Sequence, residues 1–406
     1  MFGDAYEEER TKLLQDYFPV CPTYRPNRYR SYKLRSPTGF DTLTNGAVDQ
    51  ETHDSDREQF EETVTPEDGL GPLYNATACV DCHQDPVTGG SSQVSEMRAG
   101  HLEHGQFVNP PGGVSLIHDR ATDRLIQQRV PESENIHAFR MSTSVMGLGF
   151  VEAIDDQTLL DLAQREFQLT GGRIHGQAIL VPILEAGGTS RVGRFGWKDQ
   201  HASLLSFAAD ADQGEKGVSS DLLPTEMTYF GRPLDAFNQD PTEPNDTEGD
   251  IHFYASFMRA TKAPPRGAVT HQVQSGEAVF RQVGCDLCHT PTLQTAPANT
   301  SLNGGQFVVP AALGGKTIHP FSDFLLHDVG TGDGIVQNGG QKTRNKLRTA
   351  PLWGLRTRNR LLHDGSALDL TAAIESHDGE ARDARRQFRR LQREEVRSLI
   401  AFLNSL

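Results

Sequence analysis

The sequence predicts a mainly α fold of two similar cytochrome c-like modules, with long loops and a few short strands. Three observations carry this expectation. The pentad Cys-x-x-Cys-His occurs twice, at Cys79 to His83 and at Cys285 to His289, and takes up four of the five cysteines. At 406 residues and 44.7 kDa the chain is longer than one compact domain usually is. Its 39 glycines and 22 prolines, beside a hydrophobic content of 36%, favour short helices separated by many loops.

The pentad dictates the chemistry. Two thiols three positions apart can add to the two vinyl groups on one edge of a porphyrin, and the histidine that follows reaches the iron. A zinc site would want a second Cys pair or further Cys/His ligands close by, and a thioredoxin-like pair would not need the histidine. Two complete pentads therefore imply two covalently bound c-type haems. Cys79, Cys82, Cys285 and Cys288 are the thioether positions, and His83 and His289 the proximal metal ligands.

Taken in order, residues 1–36 form a basic N-terminal tail or linker, in which Arg25, Arg28, Arg30, Lys33 and Arg35 alternate with Tyr24, Tyr29 and Tyr32. A charge run without a packing face reads as a solvated segment. Cys21 within it is the cysteine left over: a free thiol by default, a dimer bridge or an iron ligand as alternatives. Residues 37–262 make the first haem module, with insertions such as Pro110-Pro111-Gly112-Gly113. In it Asp155 or Asp156 caps a helix carrying Leu159, Leu160, Leu162, Ala163 and Phe167, and Gly171-Gly172 stops it. The acidic stretch from Met227 to Asp250 reads as a surface loop with calcium as a candidate ligand, and a helix follows near Phe253 to Arg259.

Lys262-Ala263-Pro264-Pro265-Arg266-Gly267 is the best boundary, so residues 263–406 form the second haem module. Gly276, Ala278, Val279, Phe280 and Val283 give the apolar spacing of a helix leading into the second pentad. An aromatic precedes each pentad by five residues, Tyr74 before Cys79 and Phe280 before Cys285, which presents the two modules as repeats. Val396, Leu399, Ile400 and Leu403 share one face of a terminal helix.

A formal charge of -15 argues against nucleic-acid binding, and haem propionates would add to it; a soluble, basic redox partner, such as a c-type cytochrome, fits better. Covalent haem attachment takes place outside the cytoplasm, which implies a periplasmic or extracellular protein. The first ten residues carry no export signal, so the sequence reads as a mature or truncated chain or one whose true start lies upstream. No apolar run approaches the roughly 20 residues of a transmembrane segment.

Several stretches resemble the bacterial di-haem oxidoreductase family, also labelled thiol oxidoreductases and related to di-haem cytochrome c peroxidases. They include Gly71-Pro72-Leu73-Tyr74-Asn75, Gly193-Arg194-Phe195-Gly196-Trp197-Lys198, His319-Pro320-Phe321-Ser322-Asp323, His327-Asp328-Val329-Gly330 and His363-Asp364-Gly365. The resemblance implies two coupled haems, with the second storing an electron and the first reducing peroxide or oxidising a substrate. The alternative is a di-haem carrier without enzymatic activity; oxidation of a thiol or a protein residue is a third reading.

It also implies roles for single residues. His377 lines up with the second ligand of the storage haem, which gives a bis-histidine iron with His289; His327 and His363 are its rivals. Met97, His101 and His104 are candidates near the first haem. Glu152 is the candidate catalytic acid/base, moving a proton between peroxide oxygens. Trp197 and Trp353 are candidate electron relays, and Arg194 a candidate propionate partner.

Overall fold

The structure, a computed structural model, describes residues 35–240, 242 and 244–406; the basic tail up to Lys33 and Cys21 fall outside the described residues. Nine α-helices lie among them: α1 Gln50–Glu61, α2 Leu148–Glu152, α3 Asp156–Thr170, α4 Leu204–Ala211, α5 Asp250–Ala260, α6 His271–Gln282, α7 Leu370–Ser376, α8 Arg382–Phe388 and α9 Arg393–Leu403. None is long and apolar enough to cross a membrane.

Two crossed helix pairs organise the chain. In the second half, α6 starts where the Thr270 hydroxyl accepts the Val273 amide, and its buried face is Val273, Gly276, Val279 and Phe280. This spacing follows the 3.6-residue repeat. It packs on α9, which opens with the Gln392 amide donating to the Glu395 carboxylate and buries Leu399, Phe402 and Leu403. In the first half, Asp49 caps α1, whose few buried residues are His53, Asp56 and Phe60, and α1 packs on α5. The ring centroids of Phe60 and Phe257 are 4.7 Å apart, and those of Phe280 and Phe402 5.2 Å.

This arrangement corrects the repeat read from the aromatic spacing. Tyr74 lies in a two-residue strand paired with Arg120 and Ala121, not in a helix. Phe60 on α1 occupies the place that Phe280 holds on α6. The residues between α1 and the first pentad form an insertion that the second half lacks.

The expectation of a mainly α chain with a few strands also needs amending. The first half carries a four-stranded antiparallel sheet in which Ser95–Glu103 pairs with Gln106–Val108, Leu116–Ile117 and Ile136–Met141. Short two- and three-residue strand pairs recur through both halves. α3 forms with Asp155 as its cap and Gly171 in the left-handed conformation at its end. Its buried face is Leu159, Leu162, Glu166 and Thr170, whereas Leu160 and Phe167 are exposed.

The boundary near Ala263 separates the helix pairs but not the core. One apolar cluster joins Phe60, Phe150, Leu204 and Phe257 to Leu293, Phe307, Ile318, Phe324 and Trp353 from the other side of that boundary. Thr38 bridges to Ala263 and Arg35 to Thr317, which ties the first described residues to the second half. The Met227–Asp250 loop spends acidic groups on its own backbone: Asp240 accepts the Thr242 amide and Asp246 those of Gly249 and Asp250.

The α6–α9 crossing depends on Gly276, because a Cβ there would lie 1.9 Å from the Ser398 carbonyl oxygen. Gly276→Ala should therefore destabilise the protein by about 1–3 kcal/mol or more, the usual cost of overpacking. Urea denaturation followed by circular dichroism measures it.

Candidate functional site

Both pentads adopt the same local form. Gly284, in the left-handed region at φ 86°, ends the helical path of α6 and turns the chain into a 3-10 turn over Cys285–Leu287, where the His289 amide donates to the Cys285 carbonyl at 2.9 Å. The first pentad forms a 3-10 turn over Cys79–Asp81; its His83 amide donates to the Cys79 carbonyl at 3.1 Å, and the Asp81 carboxylate accepts the amides of Thr77 and Ala78. The imidazole environments match as well. Phe60 lies 6.2 Å from His83 at 56°, and Phe280 lies 6.3 Å from His289 at 54°.

His289 donates Nδ1–H to the Phe321 carbonyl at 3.0 Å, which leaves the lone pair of Nε2 as its free donor atom. Phe321 makes this possible by adopting a left-handed backbone, φ 53°, a conformation costing roughly 1–3 kcal/mol for such a residue. Its ring is wedged against Phe280 and Phe402, at 6.1 and 5.6 Å, which holds the strained carbonyl in place. His377, just after α7, donates Nδ1–H to the Ala373 carbonyl at 2.7 Å and likewise keeps Nε2 free. His83 Nδ1 is buried without a hydrogen-bond partner.

His289 and His377 line one cavity of about 1020 Å³, which runs from Cys285 and Cys288 past Trp197 and Trp353 to Ser144, Leu148 and Phe207 of the first half. Burial, and then the neighbouring His377, push His289 down to about 4. Burial also pushes the thiols up, to about 12 for Cys79, Cys82 and Cys285 and about 11 for Cys288. These are neutral thiols beside apolar space, unlike the thiolates of a zinc or redox-exchange pair. Arg358, lowered to about 10 by burial and by Arg348, lines the same cavity together with Arg360, Arg385 and Arg390.

Other candidates are placed elsewhere. His327 has both ring nitrogens engaged by carboxylates, Nε2 with Asp323 at 3.0 Å and Nδ1 with Glu380 at 2.9 Å, so it offers iron no lone pair. His363 lines the cavity with its ring edge-on to Trp197, 6.2 Å away. His101 pairs with Glu134 at 2.8 Å, His104 stands exposed in a turn, and Met97 sits within the sheet; none lines the cavity.

Glu152 does not face the cavity. It is fully buried and bound by Arg259 Nε and Nη2 at 2.7 and 2.9 Å, Asn303 Nδ2 at 2.9 Å and the Leu204 amide at 2.9 Å. Burial alone would raise its pKa, but Arg259 and these donors hold it below the usual carboxylate range. It pins α2 to α5 and α4, and its oxygens are taken up by those donors. Arg194 is corrected in the same way: its guanidinium donates to the Val192 and Ile154 carbonyls and to Asp156, leaving nothing for a propionate.

Two charge clusters were not foreseen from the sequence. Beside the first pentad, Arg98 chelates Glu96 at 2.8 and 2.9 Å, and Glu215 is pushed up to about 8 by burial and by Glu96. Beside the second, Glu166, Asp323 and Glu380 surround His327. Only the Asp323/His327 pair, four residues apart, left a local trace in the sequence. Cys288, Asp323 and His327 form a group with metal-ligand spacing, but His327 has no free nitrogen.

A model of the family described as "Di-haem oxidoreductase, putative peroxidase" matches residues 115–406. The chain belongs to that family. The matched span contains the second pentad and both His363 and His377, and begins after the first pentad. No curated protein matches the chain. Among solved structures it is similar to hydrazine synthase from Kuenenia stuttgartiensis, with 14% identity, 96% of this chain and 98% of that one covered and a TM-score of 0.39. It is also similar to a MauG-like protein associated with microbial copper homeostasis (15% identity, 96% and 95% covered, TM-score 0.41). A third is a variant of the diheme peroxidase BthA from Burkholderia thailandensis (12% identity, 91% and 90% covered, TM-score 0.40). Family membership makes this a di-haem oxidoreductase.

Glu152→Ala should cost about 3–5 kcal/mol, because it leaves the Arg259 charge without its partner. The stabilisation is present above the ordinary glutamate pKa of 4.5 and is lost as pH falls through the lowered folded value. Wild type and variant should therefore converge in stability in acid, as urea titrations at several pH values measure.

Proposed function

We propose that this family member is a periplasmic or extracellular c-type redox enzyme, with one haem linked to Cys79 and Cys82 under His83 and the other to Cys285 and Cys288 between His289 and His377. The observation that carries this reading is the pairing of His289 and His377 across one cavity, each with Nδ1 bound to a backbone carbonyl and Nε2 left open. Tethered thiols, a fixed proximal imidazole, an apolar wall and guanidinium groups for propionates are what a covalent haem requires. When bound, such a group supplies reversible one-electron storage and, where a coordination position is open, reaction with peroxide or a small substrate.

The residues of the chain do the rest. Phe321 and Ala373 hold the two imidazoles in the tautomer that ligates, and Phe280 and Phe402 exclude water from the proximal side. Two imidazoles lower the potential relative to a histidine/methionine pair, since thioether coordination favours reduced iron. Electrons would enter at the second site from a soluble, basic one-electron donor and pass to the first, at His83. Trp197 and Trp353 line the cavity that His289 and His377 share, and would assist that transfer.

Electron paramagnetic resonance of the resting holoprotein should count one low-spin and one high-spin iron, and carbon monoxide should bind the reduced first site. His377→Ala should convert the low-spin signal to high-spin and open the second site to carbon monoxide. An unchanged low-spin signal in the variant removes His377 as a ligand; two low-spin irons that bind nothing would identify an electron carrier.

A further inference from the structure

We propose that the buried Glu166 carboxyl, set against Asp323 and connected to solvent through His327, Glu380 and His175, is a proton-loading site that takes up one proton when an electron arrives at the second haem. The inference rests on the haem reading of Cys285, Cys288 and His289 given above.

The geometry starts at His327, which is 1% exposed. Its two nitrogens lie 3.0 Å from Asp323 Oδ2 and 2.9 Å from Glu380 Oε2. Ionised carboxylates only accept hydrogen bonds, so the ring carries a proton on each nitrogen and is an imidazolium. A third carboxyl, Glu166, comes from α3 and lies 3.7 Å from His327 Nε2, with its Oε1 buried and without a hydrogen-bond partner. A fourth, Asp199, has neither carboxylate oxygen hydrogen-bonded and lies 3.7 Å from Arg348. Arg348 is the cation facing the group from the strand at residues 347–348, and Arg194 adds a more distant positive charge to Asp199.

Four acids against His327 and Arg348 cannot all ionise in a buried site, because each uncompensated charge is costly there. Like-charged carboxyls in one pocket resolve this by sharing a proton. Burial and then Asp323 raise Glu166 to about 9, whereas Glu380, in spite of its burial, is held at about 2 by His327. Glu166, not Glu380, is therefore the carboxyl beside His327 whose occupancy can change.

The cluster is placed to sense the second haem and to exchange with water. His327 Nδ1 is 3.9 Å from Cys288 Sγ, the sulfur of the thioether link. In a low-dielectric interior a unit change of charge on the ring system beyond that sulfur is felt strongly. Towards solvent, the half-exposed His175 ring lies 3.8 Å from Glu380 Oε2, which leads on to His327. One electron, supplied by a one-electron donor such as a reduced c-type cytochrome, adds one negative charge. One proton, supplied by solvent along this chain, turns Glu166 from carboxylate to carboxylic acid in the alkaline range where it is otherwise ionised, so the net charge is restored. Oxidation returns both.

The test uses holoprotein whose mass already accounts for two haems, so that absence of a haem and failure of the coupling are separate results. The potential of the second haem, followed by its low-spin spectrum, should fall as pH rises above about 9, where Glu166 ionises in the oxidised protein, by up to about 59 mV per unit, the one-electron equivalent of a tenfold change in proton concentration. Glu166→Gln should abolish that slope. His175→Ala should leave the slope but slow the proton-linked phase of reduction. A wild-type potential independent of pH overturns the proposal, and so does a full slope surviving in Glu166→Gln. If that variant does not fold, infrared difference spectra of the wild type decide: a protonated carboxyl band gained on reduction supports the site, and its absence overturns it.

Discussion

The hydrogen bond from His289 Nδ1 to the Phe321 carbonyl ties the rest of the second half together. An imidazole free to rotate would present either nitrogen; one fixed by a backbone carbonyl presents a single lone pair in a single direction. To aim that carbonyl, Phe321 takes a left-handed backbone, and to hold it there its ring is clamped by Phe280 and Phe402. Those two rings are also the contact between α6 and α9. The helix packing and the orientation of the His289 imidazole are thus one packing solution, and Gly276 sets how closely it can be made.

How much of this was legible in the sequence depends on the range of the interaction. The pentads specify their own turns because the bonds involved span only a few residues, and α6 and α9 announce themselves through apolar spacing. The Tyr74 spacing misled because counting along the chain cannot see an insertion; Phe60, the true counterpart of Phe280, lies further from its pentad but meets His83 at nearly the same distance and tilt. Glu152 misled for a related reason. Its place before a helix gave no sign that Arg259, Asn303 and the Leu204 amide, from three distant segments, would claim its oxygens. The carboxyl cluster at His327 was invisible because α3, the loop carrying Asp323 and the turn after α7 meet only in the folded chain.

The two halves do not behave as separable units in this fold. Residues Leu293 to Trp353 belong by sequence to the second half, yet their side chains complete the apolar core around Phe60, Phe150 and Phe257. A core packed this densely transmits strain and admits little independent motion. The spacing between the two attachment loops is therefore fixed by shared burial, and not by the linker near Ala263.

The position of α9 has a consequence for how the molecule matures. The second attachment loop closes at His289, well before Arg393, where the helix that covers Phe280 begins. During biogenesis, then, Cys285 and Cys288 emerge while one wall of their pocket is still missing. The apolar lid made by Leu399, Phe402 and Leu403 can dock only once the last residues of the chain are present, so that pocket closes last.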